Sequence, residues 1–146
     1  MQQPTAANTG SAAAARQACS LQASEEEQLL ADPRLAEAVA LFNQGEWYAC
    51  HDGFEELWHE TQGECRLALQ GILQIAVAHL HLERGNRRGA TVLLGEGLGR
   101  LRRYGGSALG LDLTGLRRCA TERLQALQAG GSLEQLPLPR LIPALP

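Results

Sequence analysis

Apolar residues recur at helical spacing along most of the chain. Leu35, Val39 and Phe42 share one face of a predicted helix that Asp32 caps, Pro33 opens and Gly45 ends. A second predicted helix runs from Glu46 to about Thr61, after which Gln62-Gly63 turns the chain. A third, from about Glu64 to Arg84, is apolar almost all round, so it is expected at the centre of the fold. Gly85-Asn86 ends it and caps a fourth, from about Arg87 to Tyr104, whose apolar side is Leu93, Leu94, Leu98 and Leu101. Asp112 or Thr114 opens a fifth, which carries Leu113, Leu116, Leu124 and Leu127 and closes near Ala129-Gly130-Gly131. A shorter helix comes before these. It is started by the capping box Ser24-Glu25-Glu26-Glu27 and stopped by Asp32-Pro33. No alternating β pattern and no internal repeat stands out.

The expected fold is therefore all-α: a single-domain bundle of about five main helices built from antiparallel hairpins. Residues 1–23, rich in Ala, Gln, Ser and Thr, read as a flexible tail, and residues 24–130 as the helical domain. The last fifteen residues hold four of the six prolines. Residues 131–146 are thus predicted as an extended strap, its Leu and Ile side chains laid along the bundle. The GEGLG stretch (Gly95, Gly97, Gly99) has neither a preceding strand nor a following GK[ST]. Close helix packing, not phosphate binding, explains such glycines.

Composition narrows the function classes. A formal charge of -3 disfavours general nucleic-acid binding, and the Leu67–Leu82 run is broken by Gln70, Gln74, His79 and His81, which marks a core helix rather than a membrane span. Charge is segregated: residues 25–64 hold eleven carboxylates and one arginine, residues 84–123 nine arginines and three carboxylates. Helix faces that neutralise each other are the plain reading, and a basic face for an acidic partner or a second copy of the chain is the sharper one. Cys19, Cys50, Cys65 and Cys119 lack zinc-site spacing, and the N-terminus lacks a secretory pattern, so a reducing cytoplasmic setting is expected.

Polar groups interrupt the pattern in two places. At about 100° per residue, Trp47, His51, Phe54, Glu55 and Trp58 fall within roughly an 80° arc of the second helix. On the third, Arg66, Gln70, Gln74 and His81 form a stripe of about the same width. His59 falls toward solvent, and His79 reads as a core-edge histidine.

The motif His51-x3-Glu55-x2-Trp58, then Arg66-x3-Gln70-Gly71, then His81-x4-Asn86-x2-Gly89-Ala90, resembles the DUF309 family of small all-helical proteins over about Leu41 to Leu101. That family commonly has Glu after the first histidine, where this chain has Asp52. The resemblance implies the helical fold and singles out these residues, and it brings no assigned activity.

Helices joined by a short turn pack antiparallel, so the two polar sets are expected to face each other as a buried cluster of His51, Glu55, Arg66, Gln70, Gln74 and His81 beside Trp58. Arg66 would pair with Glu55, since an unpaired buried charge costs several kcal/mol. The first functional reading is a non-catalytic scaffold or a binder of a small anionic ligand, with Arg66 as clamp, Gln70 and Gln74 orienting, and Trp58 or Trp47 as apolar wall. No resident cofactor is expected under it. The alternative is a hydrolase-like enzyme using a divalent metal on His51, Glu55 and His81, and a further one is a protein–protein interaction module. No nucleic-acid or membrane partner is expected.

Overall fold

The computed structural model describes residues 25–145. The predicted N-terminal tail and the Ser24 cap lie outside the described residues. Helix α1 (residues 25–31) leads into α2 (Pro33–Asn43), α3 (Trp47–Glu60), α4 (Cys65–Glu83), α5 (Arg87–Leu101) and α6 (Leu113–Gln128). Between α5 and α6 lies a small antiparallel pair, β1 (Ser107–Ala108) and β2 (Leu111–Asp112). The all-α helical bundle is as expected, but the hairpin is not. Its turn residues Leu109 and Gly110 both have positive φ, 55° and 68°, the combination a type I′ turn needs. Leu in the first position hides that signal in the sequence.

The caps follow the sequence reading. Asp32 accepts from Arg34 N, Asn86 from Gly89 N and Asp112 from Gly115 N. Gly45 and Gly85 close α2 and α4 in the left-handed conformation. Helix α4 is the central element. It packs on α3 at one flank and α5 at the other, and it buries Leu69, Ile72, Ile75, Ala76 and Ala78. By length and composition it could cross a membrane, but half of its most apolar window is buried inside the fold.

Helices α4 and α5 approach closely because Gly71 meets Gly97. A Cβ on Gly97 would lie 2.8 Å from the Gly71 carbonyl oxygen. Gly95 and Gly99 have open space instead, so the packing role predicted for three glycines belongs to one.

The C-terminal segment is the expected strap, held at several points along its length. Asn43 Nδ2 donates to the Leu141 carbonyl (2.9 Å), and Leu141 N donates to Asn43 Oδ1 (2.7 Å). Asp112 N donates to the Ile142 carbonyl and Ala144 N to that of Gly110. Leu141 itself is fully buried.

Charge segregation is not resolved by ion pairs. Arg34 bridges Asp32, Glu56 and Glu60, tying α2 to α3, and it is the only arginine paired with a carboxylate among the described residues. Several arginines of the basic stretch bind backbone carbonyls instead. Arg117 donates to Leu101, Tyr104 and Gly105, covering the open end of α5, and Arg87 donates to Gly131.

Candidate functional site

The structure does not bring the predicted cluster to one centre. The buried face of α3 is Trp47, Cys50, Phe54 and Leu57. The apolar weight of Cys50 and Leu57 turns that face away from His51 and Glu55, which end up on its half-exposed flank. Glu55 Oε2 lies 2.8 Å from His51 Nε2, and Glu55 Oε1 lies 3.5 Å from the exposed His59 Nε2. His51 Nδ1 is 3.2 Å from Asp52 Oδ1, yet neither it nor the buried Trp58 Nε1 has an aligned hydrogen-bond partner among the described residues.

Arg66 does not pair with Glu55. Its guanidinium stacks 4.2 Å above the Trp58 ring, with Nε 3.4 Å from the Trp58 carbonyl. The antiparallel register sets Arg66 opposite Trp58, a turn beyond Glu55. Gln70 is half-buried and has no side-chain hydrogen bond among the described residues. Gln74 turns to α5, donating to Glu96 (3.1 Å) and accepting from Arg100 Nε (2.8 Å). His81 Nδ1 accepts from Asn86 Nδ2 at 3.1 Å. The register that places Trp47 beside His79 carries His81 past the first residue of α3, away from the His51–Glu55 pair. No group of three or more His, Cys, Asp or Glu among the described residues is arranged to hold a metal ion, so the three-ligand set His51, Glu55 and His81 does not form.

Four residues of the motif are explained by the fold alone. Gly71 admits α5, Asn86 caps it, a Cβ on Gly89 would lie 2.6 Å from the Asn86 side chain, and Ala90 is fully buried.

The groups with unusual electrostatics lie elsewhere. His79 is 2% exposed and Arg123 is 5% exposed, and they meet across α4 and α6. His79 Nδ1–H donates to the Ile75 carbonyl (2.8 Å), which leaves Nε2 to accept from Arg123 Nε at 2.9 Å. Burial, together with the Arg123 charge, pushes the His79 pKa down to about 4, and burial also lowers that of Arg123. Arg123 Nη1 donates to the strap carbonyls of Leu136 (3.2 Å) and Pro137 (3.1 Å). Nη2 has no partner among the described residues. The Trp47 ring lies 4.9 Å from His79 and edge-on to Phe42 at 5.1 Å.

Trp47, His79 and Arg123 border a cleft of about 550 Å³, open to solvent, walled also by Leu82, Leu133 and Leu138, with Glu83, Glu134 and Arg87 at its exposed rim. Sequence reasoning placed Trp47 as an apolar wall and His79 at the core edge, and it missed Arg123. A signal was present: Leu116, Ala120, Arg123 and Leu127 keep the i, i+4, i+7, i+11 spacing of a buried stripe.

Residues 35–93 match the family model described as Domain of unknown function (DUF309). The match overlaps most of the stretch from about Leu41 to Leu101, takes in every motif residue from His51 to Ala90, and contains Trp47 and His79 but not Arg123. No curated protein matches the chain.

Proposed function

We propose that this chain, whose residues 35–93 belong to the DUF309 family, is a non-catalytic helical protein that binds a small anion in the cleft beneath its C-terminal strap. One observation carries the reading. Arg123 is a guanidinium only 5% exposed that lines an open cleft and has no carboxylate among the described residues within ion-pair distance. Removing an ion from water costs several kcal/mol unless it is compensated. Here three neutral acceptors hold Nε and Nη1 in place, and Nη2 is left as a charged donor for a ligand.

Two features support binding over catalysis. His79 is committed at both ring nitrogens, so it offers no free base. Burial raises the thiol pKa of Cys50 to about 12 and of Cys65 to about 11, which removes them as thiolate nucleophiles near neutral pH. Three free thiols, Cys50, Cys65 and Cys119, favour a reducing cytoplasmic setting.

A second anion position has its own observation. Arg66, stacked on Trp58 and with no carboxylate paired to it among the described residues, is a preset clamp on the outer flank of α3 and α4. It lacks the enclosing cleft that Arg123 has.

Thermal denaturation with and without small carboxylates and phosphate tests the reading. A ligand at about 100 times its Kd adds about 2.7 kcal/mol to stability. Saturable stabilisation of the wild type that is lost in Arg123→Met is the expected result. A melting temperature insensitive to every anion refutes it.

A further inference from the structure

We infer that the ligand of this cleft is a small monocarboxylate with an apolar body, rather than a phosphate, a dicarboxylate or a neutral molecule. The inference rests on the anion-binding reading above and adds the ligand's chemistry.

The first argument is a donor count. Arg123 has one nitrogen to offer, because Nε is taken by His79 and Nη1 by the strap carbonyls. One carboxylate oxygen satisfies Nη2, and the other can remain solvated. A phosphate brings three or more oxygens that need donors, and among the described residues no other buried cation borders the cleft, whose exposed side-chain donors are Ser132 and Arg87.

The second argument is the wall. The apolar part of the cleft lining is Trp47, Leu82, Leu133 and Leu138. Trp47 is 4% exposed and braced by Phe42 and His79, so it is a rigid plane that needs no ordering on binding. An apolar body gains by leaving water there. The volume of about 550 Å³ lies in the range of small-molecule sites, about 300–1,000 Å³.

The third argument is the rim. Glu83 and Glu134 both border the opening. Arg87, the rim cation among the described residues, donates Nη2 to the Gly131 carbonyl at 2.7 Å and keeps its charge, so the rim sets two carboxylates against one guanidinium. A ligand with a second negative charge, its first held at Arg123, carries that charge toward two carboxylates.

Titration calorimetry on the full chain separates these claims, with phenylacetate, phenylacetamide, succinate and inorganic phosphate as probes. Phenylacetate is expected to bind at least about tenfold tighter than each of the other three, the size of one lost charge-assisted hydrogen bond. Arg123→Lys keeps a charge for folding but removes the fork, and it is expected to weaken phenylacetate about tenfold or more. Glu83→Gln/Glu134→Gln, at exposed positions that leave the core alone, is expected to tighten succinate severalfold. If phosphate or succinate binds as tightly as phenylacetate and Arg123→Lys weakens both, the ligand class is wrong while the anion site stands. No succinate gain in the rim variant also overturns the class. If no probe binds, or if binding is unchanged in both Arg123→Lys and Arg123→Met, the site itself falls and the class with it.

Discussion

Acidification isolates the His79–Arg123 pair. His79 is held neutral chiefly by burial, and a proton on Nε2 would in addition face the Arg123 guanidinium at 2.9 Å. Its pKa is near 4 in the folded protein, against 6.5 for the free side chain. Above about pH 6.5 both states are neutral, and His79 leaves stability unaffected by pH. As pH falls from 6.5 toward about 4, the unfolded chain takes up a proton that the folded chain refuses, so stability drops. The steepest slope is about 1.4 kcal/mol per pH unit, and the full loss, with 2.5 units between the two values, is about 3 kcal/mol. Asp32 and Glu60, whose pKa values Arg34 holds below the usual carboxylate range, also lose stability as pH falls, but chiefly below the His79 window. The assay is urea denaturation at half-unit steps from about pH 4 to about pH 7, on wild type and His79→Gln. Glutamine keeps a neutral donor and acceptor and cannot titrate. The wild-type curve minus the variant curve should rise by about 3 kcal/mol across the window. Parallel curves would show that His79 titrates normally and that its bond to Arg123 is not the buried contact described here.

Other predictions follow from packing. Gly97→Ala drives a Cβ against the Gly71 carbonyl and should destabilise by about 1–3 kcal/mol despite better helix propensity. Gly95→Ala and Gly99→Ala meet open space and should each stabilise by up to about 1 kcal/mol; one denaturation series measures all three. Asn43→Ala removes both bonds to Leu141 and should cost about 1–3 kcal/mol, with hydrogen exchange speeding up selectively in the strap. Asn86→Ala removes the α5 cap and the bond to His81, and should cost about 1 kcal/mol by thermal denaturation.

The helices were legible because their signals are local. Asp32-Pro33, Gly45, Gly85-Asn86 and Asp112 fix ends within a few residues, and the prolines after Leu136 forbid any helix there. The hairpin at Ser107–Asp112 was not, because its turn carries Leu109 where Asn or Gly is usual. The site was legible only in part. On α3, the arc that joins His51, Glu55 and Trp58 lies beside the arc of Cys50, Phe54 and Leu57, and a helical wheel alone does not say which one neighbouring helices cover. Arg123 sits in the stripe of Leu116 and Leu127, but what makes a buried arginine tolerable is remote. Its acceptors are His79, 44 residues away, and the strap carbonyls of Leu136 and Pro137. No local pattern encodes that convergence.

The most direct test follows the arginine side-chain resonances in ¹⁵N spectra during titration with phenylacetate. The Arg123 Nη signals should shift saturably while those of Arg66 stay in place. A saturable shift at Arg66 with Arg123 unmoved would contradict the account and move the anion to the Trp58 flank.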